Sequence, residues 1–171
     1  MKKNKNKNSG FTLIEVLIAC AIITVSMFAL MSTAQKGLSL SREALLMSQA
    51  NTLMEEGAEA VKSIRDNNWT DVSNLNLNTN YYLYFNTNTK NWKLDTNSTS
   101  LLGYEPTYPV DGVFSRSIVV SSVERDANDD IVASGGTVDT GTKKITVTVS
   151  WTSTSGFKSK NLSFYISNIF N

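Results

Sequence analysis

Residues Phe11 to Ala34 read FTLIEVLIACAIITVSMFALMSTA, a run of 24 residues with one charged side chain, Glu15. An α-helix rises about 1.5 Å per residue, so this run would reach roughly 36 Å. That length exceeds the hydrocarbon core of a bilayer, which is about 30 Å thick. The run therefore predicts a helix that can span a membrane, to which the rest of the chain is attached.

Basic residues are distributed unevenly about this apolar run. Four lysines precede it within the first ten residues, whereas only Lys36 and Arg42 follow it closely. Cytoplasmic flanks of membrane helices carry an excess of Lys and Arg, so we expect the N-terminus in the cytoplasm and everything after Ala34 outside. Without the four leader lysines, twelve basic residues stand against fifteen acidic ones. The resulting net charge of −3 gives no evident nucleic-acid-binding surface.

The junction that opens the apolar run is Ser9-Gly10-Phe11-Thr12-Leu13-Ile14-Glu15. A carboxylate inside a spanning helix costs about 2.5–3.5 kcal/mol on insertion scales, which favours a functional role for Glu15. A basic leader, a glycine, a phenylalanine and a glutamate at the start of an apolar helix resemble the type IV prepilin signature. The resemblance implies that a membrane peptidase cuts between Gly10 and Phe11 and N-methylates Phe11. It also implies that Glu15 and the new amine of Phe11 act in assembly.

Two other processing signals overlap the same run. Residues Leu17 to Cys20 have the appearance of a lipobox, which would make Cys20 a lipidated N-terminus. The triplet Ser32-Thr33-Ala34 resembles the small-residue site of a secretory signal. The apolar run continues past Cys20 and carries Glu15 within it, so cleavage before Phe11 is the favoured interpretation.

The helical pattern continues beyond the apolar run. Apolar residues recur at spacings of three and four from Leu46 to Ile64, with polar residues on the other side, as in an amphipathic helix. One helix from Phe11 to Asp66 would have 56 residues and reach roughly 84 Å. Gly37 and Gly57 are its weak points, because each costs about 1 kcal/mol relative to alanine.

The remainder of the chain predicts β-structure. Apolar and β-branched residues form strand-like runs whose clearest member is Lys144 to Trp151, with strict alternation. The other runs are Tyr81 to Phe85, Trp92 to Leu94, Val113 to Arg125 and Leu162 to Ile166. An antiparallel sheet with one buried face can be covered by the stripe on the long helix. The predicted fold class is α+β, a long N-terminal helix with a sheet of about four strands packed on its outer half.

The residue inventory gives little support to catalysis. The chain has one cysteine, Cys20, and no histidine, so it lacks an internal disulfide and the commonest general base. We therefore predict no enzyme activity, no catalytic residue and no cofactor. Residues Gly136 to Lys143 approach a P-loop, but a strand follows where a helix is required, so a strand-connecting loop is the better interpretation.

A weak calcium candidate lies in the C-terminal half. Asp126, Asn128 and Asp130 copy the opening of a calcium loop. Ile131 stands where the loop needs glycine, and Thr137 stands where it needs a bidentate acid. A solvated β-turn is the favoured interpretation of these residues.

Two later stretches are similar to minor pilins of the pilus-modification or pseudopilin-like type. They are Gln49 to Trp69 and Lys144 to Trp151. The chain departs from many major pilins because it lacks both a helix-kinking proline in the apolar run and a C-terminal cysteine pair. The resemblance thus implies a low-copy structural subunit of a type IV pilus or related filament. The alternatives are a pseudopilin of a type II secretion or competence system, and a membrane-tethered adhesin that does not polymerise.

These inferences predict four segments. They are a basic leader at 1–10, a transmembrane and polymerisation helix at 11–34, its amphipathic continuation at 35–66 and an extracytoplasmic β-rich part at 67–171. The expected partners are prepilin peptidase, other pilin subunits of the same filament, the membrane assembly platform with its ATPase, and membrane lipid. The expected location is the cytoplasmic membrane before assembly and a cell-surface filament afterwards.

Overall fold

The computed structural model describes residues 12–97, 105–106, 110 and 112–169. The chain divides between Ala44 and Leu45 into two compact parts. We refer to residues 12–44 as the stem and to the described residues from Leu45 onwards as the body.

A single α-helix, α1, covers Leu13–Asn67, 55 residues in all. The expected helix from Phe11 to Asp66 is therefore confirmed over its described residues, and neither Gly37 nor Gly57 interrupts it. A one-turn helix, α2, follows at Thr70–Ser73 and was not expected from the sequence. The side chain of Asn68 supports this turn, because its Oδ1 accepts the backbone N–H of Thr70 at 3.2 Å and the Thr70 hydroxyl at 2.9 Å.

The body contains an antiparallel sheet whose described strands follow the order β2-β1-β4-β6-β7. Their bounds are β1 Asn80–Asn86, β2 Asn91–Asp95, β3 Glu105–Pro106, β4 Phe114–Arg125, β5 Ile131–Val132, β6 Thr137–Ser153 and β7 Gly156–Ser167. The two-residue strands β3 and β5 pair with β1 and β4 at positions off this path. The sheet thus has more strands than the four expected. Five lie on this path, and the two-residue strands β3 and β5 have no periodicity by which a sequence could reveal them.

The hydrophobic core lies between the body's part of α1 and one face of this sheet. The predicted stripe is confirmed: Ala50, Val61 and Ile64 are buried, and Leu46 and Leu53 pack partly against the core. On the sheet side, the alternation expected for β6 is also confirmed, with these residues buried: Ile145, Val147, Val149 and Trp151. Burying one Val, Leu or Ile side chain contributes about 1.5–3 kcal/mol, so this interface holds the body together.

A buried cation also joins the helix to the sheet. Arg116 of β4 is only 2% exposed, and its Nη1 lies 3.2 Å from Oε2 of Glu56. The same nitrogen donates to the carbonyl oxygen of Leu53 at 3.1 Å. Burial lowers the pKa of the Arg116 guanidinium, and Glu56 opposes this shift. Sequence periodicity gave no sign of this contact, because Arg116 alternates with serines in a strand whose other inward residues are apolar.

The structure corrects the expectation that the P-loop-like residues form a loop between strands. Thr137 to Lys143 are not a connecting loop but the first part of β6, which pairs with β4. The register shifts between Ser122 and Val123, whose partners are Lys143 and Asp139. The three residues between those partners therefore form a bulge. A strand with a bulge cannot present a helix N-terminus to phosphate.

Candidate functional site: the N-terminal stem

The predicted processing residues, Gly10 and Phe11, lie outside the described residues. The described chain begins at Thr12, whose carbonyl accepts the N–H of Glu15 at 3.0 Å and of Val16 at 3.3 Å. Glu15 therefore lies in the first turn of α1. A helix N-terminus carries a partial positive charge, so a carboxylate is favourably placed there. In the sequence Glu15 is the fifth residue after the predicted cleavage point, and the structure leaves its role in assembly untested.

The stem presents a continuous apolar surface along residues 13–34. An 18-residue window of α1 has a mean hydropathy of 2.5, and none of it is buried. Large side chains along it are exposed by more than half, among them Leu13 at 80% and Phe28 at 75%. The core helix of a soluble domain would bury such residues, and exposed apolar patches of this kind mark membrane or protein contacts. By length and composition this helix can cross a membrane.

Three hydroxyl side chains of the stem, those of Thr24, Ser26 and Thr33, are satisfied within the helix itself. The Thr24 hydroxyl donates to the carbonyls of Cys20 and Ala21 at 3.0 and 2.9 Å. Ser26 and Thr33 donate in the same way to carbonyls four residues earlier, at 2.8 and 2.9 Å. A hydroxyl paired with its own helix can enter an apolar medium without leaving a donor unsatisfied. These three residues are therefore compatible with lipid or with close helix packing.

Cys20 is free and exposed on the stem. It stands among apolar neighbours on α1, and the structure leaves its lipidation untested. Among the described residues, no group of three or more His, Cys, Asp or Glu side chains could hold a metal ion. The apolar run of the stem is thus a packing surface with one carboxylate, Glu15, near its start.

The calcium candidate forms a tight turn between β4 and β5. One carboxylate oxygen of Asp126 accepts the backbone N–H groups of Asn128 at 2.9 Å and Asp130 at 3.0 Å. Arg125 donates to the carbonyl of Asp129 at 2.8 Å and so closes the other side of the turn. This geometry is the turn that the sequence favoured, and the Asp126 oxygen is already engaged by its own loop.

The three tryptophans lie within the hydrophobic core or pack against it. Trp151 is buried, with only 3% of its surface exposed, whereas Trp69 and Trp92 are partly buried against the core. Trp92 also lines a cleft of the body, together with polar side chains from the end of α1, α2 and β2. No sequence pattern indicates this cleft, since its walls come from segments that are apart along the chain.

Comparison with known proteins gives one finding. A family model described as the prokaryotic N-terminal methylation motif matches residues 5–31. No curated protein and no solved structure matched the chain. The similarity of residues 49–69 and 144–151 to minor pilins therefore stays a prediction.

The matched residues are the leader, the predicted cleavage point and most of the apolar run that forms the stem. The motif and the apolar helix together fit anchoring in a membrane before assembly into a surface filament. They support a pilin-like or pseudopilin protein that prepilin peptidase processes and that assembles with other pilin subunits. Proteins with this motif are structural rather than catalytic. This chain carries the prokaryotic N-terminal methylation motif, which is the signature of type IV pilin-like prepilins.

Proposed function

We propose that the chain is a structural subunit, present in few copies, of a type IV pilus or a related filament. The observation that carries this proposal is the unburied apolar surface of the stem, most of which lies within the methylation motif. Such a surface is costly in water at about 25 cal/mol for each Å². Lipid covers it before assembly, and the stems of neighbouring subunits cover it in the filament.

The uneven distribution of lysines along the chain supports insertion into the membrane before assembly. The four leader lysines hold the N-terminus in the cytoplasm, and the body then lies outside. Prepilin peptidase removes residues 1–10 and methylates Phe11. The membrane assembly platform and its ATPase then extract the subunit from the bilayer. The chain contributes no catalysis to these steps.

Small side chains on the stem support close packing between subunits. Membrane helices approach one another where Gly, Ala, Ser and Thr replace larger residues. The stem carries Ala19, Ala21, Ala29 and Ser32 among larger apolar residues, and all of them are exposed. A neighbouring helix can therefore contact the backbone at these positions.

The low copy number is supported by two departures from many major pilins. The apolar run has no proline, and the chain has no C-terminal cysteine pair. A proline would free a backbone carbonyl and allow the helix to kink. Its absence, together with the similarity of residues 49–69 to minor pilins, favours an accessory position in the filament.

The test is the composition of sheared filaments. Filaments are sheared from cells that express the chain at its native level, and its peptides are counted by mass spectrometry against those of the most abundant subunit. We expect a small but reproducible ratio that disappears when the gene is deleted. Equal abundance would contradict the low-copy position. Absence from filaments would overturn the proposal and favour a tethered adhesin.

The same deletion strain separates the filament systems. Loss of surface pili identifies a pilus subunit, loss of protein export identifies a secretion pseudopilin, and loss of DNA uptake identifies a competence subunit. We expect altered piliation with normal export. Normal piliation would instead assign the subunit to a secretion system or a competence system.

A further inference from the structure

The body contains an open cleft of about 530 Å³ between the end of α1, the turn of α2 and the strand β2. We refer to it as the α2–β2 cleft. Its volume lies within the range of about 300–1,000 Å³ that is usual for sites of small ligands. It belongs to the body alone and is unrelated to the residues assigned to processing and assembly.

The floor of the α2–β2 cleft is apolar and fixed. Ile64 and Leu94 belong to the core and are 4% and 7% exposed. Leu75 and Trp92 complete the floor and pack partly against the same core. The Trp92 ring is held by Phe85, whose ring centroid is 4.9 Å away at an interplanar angle of 52°. The cleft thus has a rigid apolar base that includes part of an indole.

The rim of the cleft is polar and carries amides. Asn67 ends α1, Asn74 follows α2 and Asn91 begins β2, and all three are exposed. Their side-chain amides make no hydrogen bond with the described part of the chain. Each amide offers two donor hydrogens and a carbonyl acceptor. Three asparagines therefore line the same apolar floor with the hydrogen-bonding capacity of their amides unused.

The rim of the cleft carries two charged groups, and their charges are of opposite sign. Asp71 and Lys93 are the two ionisable side chains that line the cleft. Oδ1 of Asp71 accepts a hydrogen bond from the Asn68 amide at 3.3 Å, which fixes the carboxylate. One acid and one base give no net field to attract a polyanion, a phosphate or a cation. The ligand that fits is uncharged.

We propose that the α2–β2 cleft binds a neutral saccharide. A sugar ring has a face of C–H groups, and these carry the slight positive polarity that suits the negative face of an indole. Its hydroxyls both donate and accept, as do the side chains of Asn67, Asn74 and Asn91. No other common class of small ligand combines an apolar face with so many neutral hydroxyls. The volume accommodates one or two sugar rings.

The test uses the full chain in phospholipid nanodiscs, because the headgroup of an alkyl-glycoside detergent would compete for the cleft. The probes are free neutral hexoses, N-acetylhexosamines and their disaccharides. Binding is followed by saturation-transfer NMR, with affinities from titration. We expect at least one saccharide to receive saturation on its ring C–H protons, which is the sign of contact with the floor.

The variants are Asn74→Ala and Asn91→Ala, since both side chains are exposed and their loss leaves the core intact. Losing one neutral hydrogen bond should weaken binding by about three- to tenfold in each variant. The matched control is Asn161→Ala, which removes an exposed asparagine from β7, outside the cleft. It should bind as the unaltered chain does.

Two results would overturn the proposal. One is that no saccharide of the panel receives saturation from the unaltered chain. The other is that the control variant and the two cleft variants bind equally well or equally poorly. The filament function is tested by sheared filaments and does not depend on this outcome, so the two proposals can fail separately.

Discussion

Gly57 of α1 lies against Val147 of β6 so closely that a Cβ atom at position 57 would be 2.8 Å from Cγ1 of Val147. The same Cβ would be 3.3 Å from Cδ of Arg116. Real Cβ atoms essentially never approach another heavy atom within 3.0 Å, so the contact with Val147 means that only glycine allows α1 and the sheet their observed separation. The glycine that the sequence marked as a weak point of the helix is therefore a packing position.

The first prediction is that the body folds without the apolar stretch. Its core is formed by the residues after Leu45 and needs no contact from the apolar run. A fragment that begins at Lys36 should be a soluble monomer with one cooperative thermal transition, without metal or disulfide. Circular dichroism and sedimentation check this. Aggregation or a transition without cooperativity would mean that the helix stripe needs a neighbouring subunit.

The second prediction concerns Gly57 in that fragment. Gly57→Ala should lower the free energy of unfolding by about 1–3 kcal/mol, because Val147 or the helix must shift to admit the methyl group. Helix propensity alone would predict a gain of about 1 kcal/mol. The control is Gly37→Ala, where nothing lies within 4 Å. Urea unfolding measures the change in the free energy of unfolding for each variant. A Gly57→Ala variant more stable than the unaltered fragment would show that the close approach of Gly57 to Val147 is relaxed in solution.

The third prediction is a pH dependence that arises from Asp139. The pKa of this carboxyl is lowered from 3.8 to about 2. The hydrogen bond with Thr142 makes the largest contribution, and the hydrogen bond with Arg125 makes the next largest. Nε of Arg125 lies 2.8 Å from Oδ2 of Asp139. A carboxyl group whose pKa is lower in the folded chain than in the unfolded chain stabilises the fold at any pH above its unfolded pKa. For Asp139 this contribution is lost as the pH falls from about 3.8 towards about 2.

Asp139→Asn should therefore reduce the slope of unfolding free energy against pH in that acid window. Above pH 5 it should leave a constant difference from the unaltered fragment, since Asp139 is then ionised in both folded and unfolded chains. Urea titrations at several acid pH values measure both features. Equal slopes for the two proteins between pH 2 and 4 would contradict the assigned pairs.

The fourth prediction concerns processing. The mature chain should begin at Phe11 and carry one N-methyl group, because the leader and the junction match the methylation motif. Intact-mass analysis of the protein from cells with an active prepilin peptidase checks this. Cys20→Ala is the control and should give the same N-terminus. A chain that begins at Gln35, or one with lipid on Cys20, would contradict the prepilin assignment.

The fifth prediction is that Glu15→Val prevents assembly while it leaves insertion and cleavage intact. A helix without the carboxylate enters the bilayer more easily. In the filament, however, the protonated amine of an N-terminal residue such as Phe11 would lose its partner. Removing one member of a buried ion pair costs about 3–5 kcal/mol, which lowers incorporation by roughly 100-fold or more.

The measurement is the ratio of the variant to the major subunit in sheared filaments, with processing checked by intact mass. The matched control is Glu43→Val, which removes a stem carboxylate far from the N-terminus. It should assemble normally. Incorporation of Glu15→Val at the unaltered ratio would show that the apolar stem suffices and that Glu15 has no role in assembly.

Much of the fold could be predicted because its signals are local. Helix α1 follows from one apolar run and one stripe, and both depend on residues three or four apart. The strict alternation from Lys144 to Trp151 likewise decides which face of β6 is buried, because neighbouring side chains of a strand point to opposite faces. The prepilin signature is also local, since a peptidase recognises a short segment of chain.

The bulge near Asp139 was beyond such reasoning. Register depends on the partner strand, so nothing within residues 137–143 indicates that β6 begins there or that its pairing with β4 shifts. The placement of Arg116 beside Glu56 has the same origin, because these residues are 60 positions apart and meet only when the sheet packs on α1.

The sequence by itself determined the chemistry of the stem and the class of the body, since periodicity and motif are properties of consecutive residues. Only the tertiary structure brought Asn74 of the α2 turn and Asn91 of β2 to the same cleft above Trp92. Their meeting depends on the paths of α2 and β2 through space. Those paths are set by burial of Leu75, Leu94 and the rest of the core, a long-range packing free energy that no short window of sequence contains.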